Sequence, residues 1–194
     1  MLYYLTNSMH WAWVQFFTFI SNSSDPVPQI LISLLVFLIL YLMNNKLEAI
    51  CCAFNICATG FTNLVLKNTV KRYRPMEIRL IDAHGYSFPS GHASISTAIG
   101  IVLIYFIFKR IKNKKTAYLL SSLIVIYLIL VAVSRVYLGV HYPTDILGGW
   151  VIAIIWSYIT ISAYKFCMSK GVNKFLDKYF TVKFNIFKNK AKSS

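Results

Sequence analysis

Apolar residues fall along this chain in long blocks rather than in short alternating stretches. Five blocks stand out: Val27–Met43, Leu47–Leu66, Ala93–Phe108, Ala117–Val133 and Ile146–Tyr164. Each holds 16 to 20 residues. At ~1.5 Å rise per residue that is about 24–30 Å of helix, close to the ~30 Å hydrocarbon thickness of a bilayer. Glycine and proline are sparse inside the blocks and no ten-residue alternation occurs, so the pattern predicts helices and not a membrane barrel. The stretch ahead of them, LYYLTNSMHWAWVQFFTFI, is long enough to cross but is interrupted by Asn7, His10 and Gln15. Its Tyr and Trp residues suit the lipid–water boundary, and a crossing helix and one lying flat both fit. It has neither the basic start nor the cleavage site of a signal peptide, so it is read as part of the mature chain. The expectation is an all-α, polytopic transmembrane helical bundle of five or six spans. Residues 1–26 form an N-terminal interfacial or first transmembrane segment, 27–168 the transmembrane core and 169–194 a basic cytoplasmic tail.

Composition agrees with a bilayer as the solvent. Of the 194 residues, 57% are apolar and 13% charged, against roughly 45–50% and 25% in soluble domains. Cys51, Cys52 and Cys57 fall within one block and Cys167 near the end of another, with no CxxC and no pairing suggested. They read as small helix-contact residues.

The net charge of +14 would suit a nucleic acid, but its placement argues for a membrane instead. KRIKNKK, residues 109–115, holds five basic residues. The tail from Lys165 holds eight lysines against one acid, Asp177. With Lys46, 14 of the 20 basic residues collect on one face, which the positive-inside rule makes cytoplasmic. The tail interleaves Lys with Phe, Leu and Tyr, which fits a basic interfacial helix on anionic lipid or a solvated tail. Lys67, Lys71, Arg72, Arg74, Arg79 and Arg135 fall on the opposite face, where the rule disfavours them. They need another reason to be there.

Three clusters share that face. KNTVKRYRP (Lys67–Pro75) leaves the second block, PSGH (Pro89–His92) opens the third, and SRVYLGVHYPTD (Ser134–Asp145) leaves the fourth. No span separates the first two, and two spans separate the third from the second, so parity brings all three together. Lys67, Arg74 and Arg135 are cations suited to one multiply charged anion, with arginine offering forked donors to phosphate oxygens. Gly91 lets backbone approach a ligand, Ser90 adds a hydroxyl, and the start of a helix at PSGH adds a positive dipole end. Asp145, four residues after His141, is placed to accept one ring N–H and leave the other nitrogen free to attack. His92 is placed to protonate a departing oxygen. Taken singly, each residue has an ordinary account: cations snorkel at helix ends, and HYPTD makes a turn and cap. It is the convergence of three loops on one chemistry that points to phosphate-ester hydrolysis. Asn55, Thr59 and Asn63, along one side of the second block, are expected to face the bundle.

These residues carry a family signature. K-x6-RP stands as Lys67 to Arg74–Pro75, PSGH as Pro89–His92, and SR-x5-H-x3-D as Ser134–Arg135, His141 and Asp145. The sequence resembles the type 2 phosphatidic acid phosphatase superfamily. The resemblance implies a membrane bundle, usually of six spans, and a metal-independent lipid phosphatase working through a phosphohistidine at the outer face. It implies His141 as nucleophile, Asp145 as its orienting partner and His92 as general acid, with Lys67, Arg74, Ser90, Gly91, His92 and Arg135 binding phosphate. The wording around the motifs is most similar to small bacterial members acting on phosphatidylglycerophosphate or undecaprenyl pyrophosphate, the latter tied to cell-wall lipid. The expected partners are thus a membrane lipid substrate and the bilayer, with no nucleic acid, in the cell's inner membrane with the site extracytoplasmic. No cofactor and no metal are expected. Arg79, Lys71 and Arg72 stand where a second phosphate could meet them, or are surface bystanders. The alternatives are a lipid phosphotransferase, a lipid A or phosphatidic acid phosphatase, a non-catalytic anionic-lipid binder, and a metallohydrolase on His84, His92, His141 and Asp82. Three nearby cations and few carboxylates oppose the last.

Overall fold

The protein is described here by a computed structural model covering residues 2–76, 79–172 and 175–176, with side chains from His10 onward. Most of the basic tail, residues 169–194, lies outside the described residues, and with it the choice between an interfacial helix and a solvated tail. The described chain is all helical: α1 (Leu2–Asn22), α2 (Pro26–Leu42), α3 (Lys46–Val70), α4 (Gly91–Arg110), α5 (Lys114–Tyr137) and α6 (Pro143–Ser169). The last four are long and apolar enough to cross a bilayer. The part of α1 from His10 and α2 together make a fifth candidate, bent by 48° at the Ser23–Asp25 break.

Local chemistry sets the helix starts. Pro26 and Pro143 occupy first-turn positions of α2 and α6, where a missing N–H costs nothing. Asn113 caps α5 through the N–H of Lys115 at 3.0 Å. Lys71, with φ of +51°, ends α3 in a left-handed turn whose N–H returns to the Lys67 carbonyl.

Inside the bundle, polar side chains join helices where no water competes. Asn55 Nδ2 donates to the Ala98 carbonyl at 2.9 Å and to Ser157 Oγ at 3.2 Å, tying α3 to α4 and α6. Asn63 Nδ2 donates to Ser94 Oγ at 3.0 Å. Asn55, Thr59 and Asn63 are all buried, on the side of α3 that faces the bundle. At Gly100 a Cβ would come within 2.8 Å of Leu128 Cδ1, so α4 and α5 approach closely there.

The end of the bundle remote from the motifs is fastened by Glu48. Its buried carboxylate accepts from Lys109 Nζ at 2.8 Å, from Tyr164 Oη at 3.0 Å and from Arg110 Nη2, joining α3, α4 and α6. Leu47, Phe106 and Tyr164 belong to one buried hydrophobic cluster. Removing one member of a buried ion cluster strands the others. The general cost of about 3–5 kcal/mol is reduced here because the Lys109 side chain is 38% exposed. Glu48→Ala is therefore expected to destabilise by about 2–3 kcal/mol, read as a lower Tm in detergent. An unchanged Tm would show that the cluster does not hold this end together.

Candidate active site

The segment between α3 and α4 is fixed by its own backbone. Ser87 N–H donates to the Arg72 carbonyl at 2.8 Å, and Leu80 N–H to the Leu138 carbonyl at 3.1 Å. Arg74 completes the fastening. Its Nε donates to the Gly85 carbonyl at 3.1 Å, Nη2 to the His84 carbonyl at 3.0 Å, and Nη1 to the Val140 carbonyl at 2.8 Å. Gly85, with φ of +73°, supplies the turn that aims its carbonyl at the guanidinium.

Arg74 Nη1 also lies 3.2 Å from His141 Nε2. A guanidinium has only donors, so this nitrogen of a neutral ring must accept, and the ring proton is assigned to Nδ1. Nδ1 lies 3.3 Å from Asp145 Oδ2. The two partners therefore agree on one tautomer, with the lone pair on Nε2. His141 is 3% exposed, and burial pushes its proton affinity down to about 4. The Asp145 hydrogen bond opposes the shift, while the charges of Arg74 and Arg135 reinforce it. Burial also lowers the proton affinity of Arg74, with Arg79 adding to the effect.

Asp145 is fully buried and collects three donors: His141 Nδ1, Tyr142 N–H at 2.9 Å and Arg72 Nη1 at 2.9 Å. Arg72 also donates to Thr144 Oγ1 at 2.6 Å and stacks 4.0 Å from the Tyr142 ring centroid. Arg72 is thus committed to the carboxylate behind His141, a role its position in a basic run did not reveal.

Ser90 caps α4, its Oγ accepting from Ala93 N–H at 3.4 Å, and its own N–H donates to the Asp145 carbonyl at 3.0 Å. Gly91 opens the helix, and Lys67 Nζ reaches the Pro89 carbonyl at 3.4 Å. The turn is pressed against α6 at Gly149, where a Cβ would come within 2.9 Å of the Ser90 carbonyl oxygen and 3.1 Å of Ser94 N. Arg135 is 4% exposed. Its Nη1 meets Ser21 Oγ, and its buried Nε–H has no hydrogen-bond partner. His92 Nε2 lies 2.7 Å from Asp25 Oδ1.

A cleft of about 930 Å³ runs from these groups into the bundle. Lys67, Arg74, Gly91, His92 and His141 line its polar end, and Ile30, Leu34 and Phe37 of α2 face Ala53, Ile56 and Leu64 of α3 along the rest. From Lys67 to Ala53 along α3 is about 21 Å at ~1.5 Å per residue. Among the described residues no group of three or more His, Cys, Asp or Glu side chains could hold a metal ion.

The profile of the PAP2 superfamily matches residues 48–169, which contain every one of these motif residues. The chain belongs to the PAP2 superfamily. It is 39% identical over 97 residues to phosphatidylglycerophosphatase B of Bacillus subtilis, covering 48% of this chain and 46% of that protein. It is 34% identical over 76 residues to an undecaprenyl-diphosphatase of Sulfolobus acidocaldarius, covering 39% and 32%. The chain spans less than half the length of these curated relatives. The crystal structure of a transmembrane PAP2-type phosphatidylglycerolphosphate phosphatase from Bacillus subtilis superposes with a TM-score of 0.72 at 24% identity, over 78% of this chain and 76% of that one. The PAP2 fold is shared, and the chain is an all-helical, multi-pass membrane protein.

Several side chains at the PAP2 site escape sequence reasoning. Asp25, Ser21 and Gln29 come from the elbow ahead of the motifs. The one signal for Asp25 was an acid, in a chain with few, at the mouth of an apolar run. The Gly148–Gly149 pair inside an apolar span was the signal for close backbone approach.

Two predictions follow from this geometry. The His141 ring should remain neutral at pH 5.5, with a midpoint of about 4 in ¹⁵N NMR of histidine-labelled protein; a midpoint near the ordinary ~6.5 would refute the buried, Arg74-bound ring. Gly149→Ala should displace the Ser90 turn, lowering Tm through the backbone clash and cutting turnover by roughly tenfold or more, since small misplacements of reacting groups are costly. Wild-type turnover in that variant would show that the turn tolerates the shift.

Proposed function

We propose that this protein is an integral-membrane, metal-independent phosphatase that hydrolyses a lipid phosphate or pyrophosphate through a phosphohistidine on His141. The observation that carries the reading is the polarised His141 ring, its Nδ1 on buried Asp145 and its Nε2 at the polar end of an apolar cleft. In this reading Nε2 attacks phosphorus as the bond to the leaving oxygen breaks, and His92 gives that oxygen a proton. Water then attacks phosphorus, His92 takes its proton, and the P–N bond breaks to release inorganic phosphate.

Lys67, Arg74, Arg135, Ser90 and Gly91 hold the phosphate. The shared placement of Lys67, Arg74 and Gly91 beside His141 at the polar end of the cleft supports this assignment. Arg74 Nη1, resting on the nucleophile's lone pair, transfers its donation to the incoming phosphoryl group. Asp145 keeps the tautomer and stabilises positive charge on the ring.

An anionic head with a long apolar tail fits this cleft better than a soluble phosphate ester does. Phosphatidylglycerophosphate and undecaprenyl pyrophosphate are the preferred substrates, in keeping with the names of the relatives. In this reading residues 27–168 are the phosphatase core in the inner membrane, and the uneven placement of basic residues supports an extracytoplasmic site and a cytoplasmic tail.

The test is phosphate release by the full chain in detergent with excess chelator, using those two lipids, phosphatidic acid and a lipid A phosphate. Turnover of at least one lipid, inhibited by vanadate and reduced at least about 10³-fold in His141→Ala, is expected. Turnover that survives His141→Ala, or that requires a metal, would contradict the reading.

A further inference from the structure

The family profile begins at residue 48, yet the elbow between α1 and α2 reaches the site from outside it. Ser21 meets Arg135, and Gln29 Nε2 donates to Ser96 Oγ at 3.0 Å and reaches the His92 carbonyl at 3.4 Å. Asp25 Oδ1 lies 2.7 Å from His92 Nε2, the shorter of the two histidine–aspartate contacts at this end of the protein.

Asp25 is the residue just before α2, where an aspartate ordinarily accepts a backbone N–H from the first turn. Its side chain makes no such bond. The third helical position is Pro28, which has no N–H to give. The carboxylate is turned to His92 instead, and its helix start is left to Pro26 and to the Asp25 carbonyl, which accepts from Gln29 N–H at 3.0 Å.

We propose that Asp25 is a positioning residue for His92, forming a second histidine–aspartate pair that serves the acid and base steps as His141–Asp145 serves the nucleophile. The proposal rests on the reading of His92 as the proton donor. With Nε2–H committed to Asp25, Nδ1 is the nitrogen that exchanges a proton with the substrate. In the first step Nδ1–H of the imidazolium passes its proton to the oxygen leaving phosphorus as the His141 Nε2–P bond forms. In the second, Nδ1 takes a proton from water as the water oxygen bonds to phosphorus and the P–N bond breaks. Asp25 remains a carboxylate throughout, holds the ring against rotation and stabilises its charged form.

The test compares two substrates of the full chain in detergent: a long-chain alkyl phosphate, whose alkoxide must be protonated to leave, and p-nitrophenyl phosphate, whose leaving group needs little help. General acids contribute roughly 10²–10⁴-fold. Asp25→Asn should lower kcat on the alkyl phosphate by about 10–100-fold and on the aryl phosphate by no more than about threefold. Asp25→Glu should recover part of the loss, and adding Asp25→Asn to His92→Ala should cost little more, because the two act as one unit. Equal losses on both substrates, additive losses in the double variant, or a gain in Asp25→Asn would overturn the proposal. A second readout needs no turnover. ¹⁵N NMR, with the ring assigned by its disappearance in His92→Ala, should show the proton of the neutral His92 ring on Nε2, and Asp25→Ala should abolish that preference. A ring protonated on Nδ1 in the wild type, or unchanged in Asp25→Ala, would refute the contact. A chain that turns over no phosphate ester but shows the expected tautomer would refute the phosphatase reading and leave the Asp25–His92 pair in place.

Discussion

The buried carboxylate of Asp145 is the junction on which the site depends. Its side chain takes donors from His141, from the Tyr142 backbone and from Arg72, while its carbonyl takes the N–H of Ser90. One residue at the start of α6 therefore fixes the loop after α5, the loop after α3 and the turn that opens α4. An unpaired carboxylate at zero exposure would cost several kcal/mol, so these donors favour the arrangement that brings the segments together. Arg74 approaches His141 from the other side, and the ring sits between a donor and an acceptor. Folding itself sets the tautomer that the proposed chemistry uses.

The rest of the bundle keeps that junction in register. Glu48 gathers Lys109, Arg110 and Tyr164 at one end, Asn55 and Asn63 link α3 to α4 along the middle, and the motif residues occupy the other end. Between α2, α3 and α4 the packing leaves a mostly apolar cleft whose charged groups and histidines, Lys67, Arg74, His92 and His141, gather at one end. Such a cavity separates head from tail along its length, the requirement for reaching a phosphate without drawing its chain out of an apolar environment. The elbow between α1 and α2 brings Ser21 to Arg135 and Asp25 to His92, so the segment before the family region touches the candidate site.

Much of the architecture was legible in the sequence because a bilayer leaves few options. Blocks of 16 to 20 apolar residues became helices, and α3 and α6 extend beyond their blocks, to Val70 and from Pro143 to Ser169. The blocks undershot because polar residues such as Lys67 and Asp145 continue the helix past the apolar stretch. Parity brought three motif clusters to one end, and the structure places Lys67, Arg74, His92 and His141 on one cleft. Periodicity says nothing of which helices touch, so the contacts of Asp25 with His92 and of Arg72 with Asp145, 67 and 73 residues apart, were out of reach. Arg72 in particular read as one cation among several. Asn7, His10 and Gln15 left α1 open between crossing and lying flat, and what defines it in the structure is a tertiary contact, Val14 and Phe17 against Leu138 and Tyr137.

Trapping the intermediate tests the phosphohistidine route most directly. The full chain would be mixed with a lipid phosphate, quenched in alkali within milliseconds to preserve a phosphoramidate, digested and read by mass spectrometry. A phosphoryl group is expected on His141 at Nε2, absent from His141→Ala. Turnover with the phosphoryl group on any other residue, or with His141 never modified at times when product is accumulating, would contradict it.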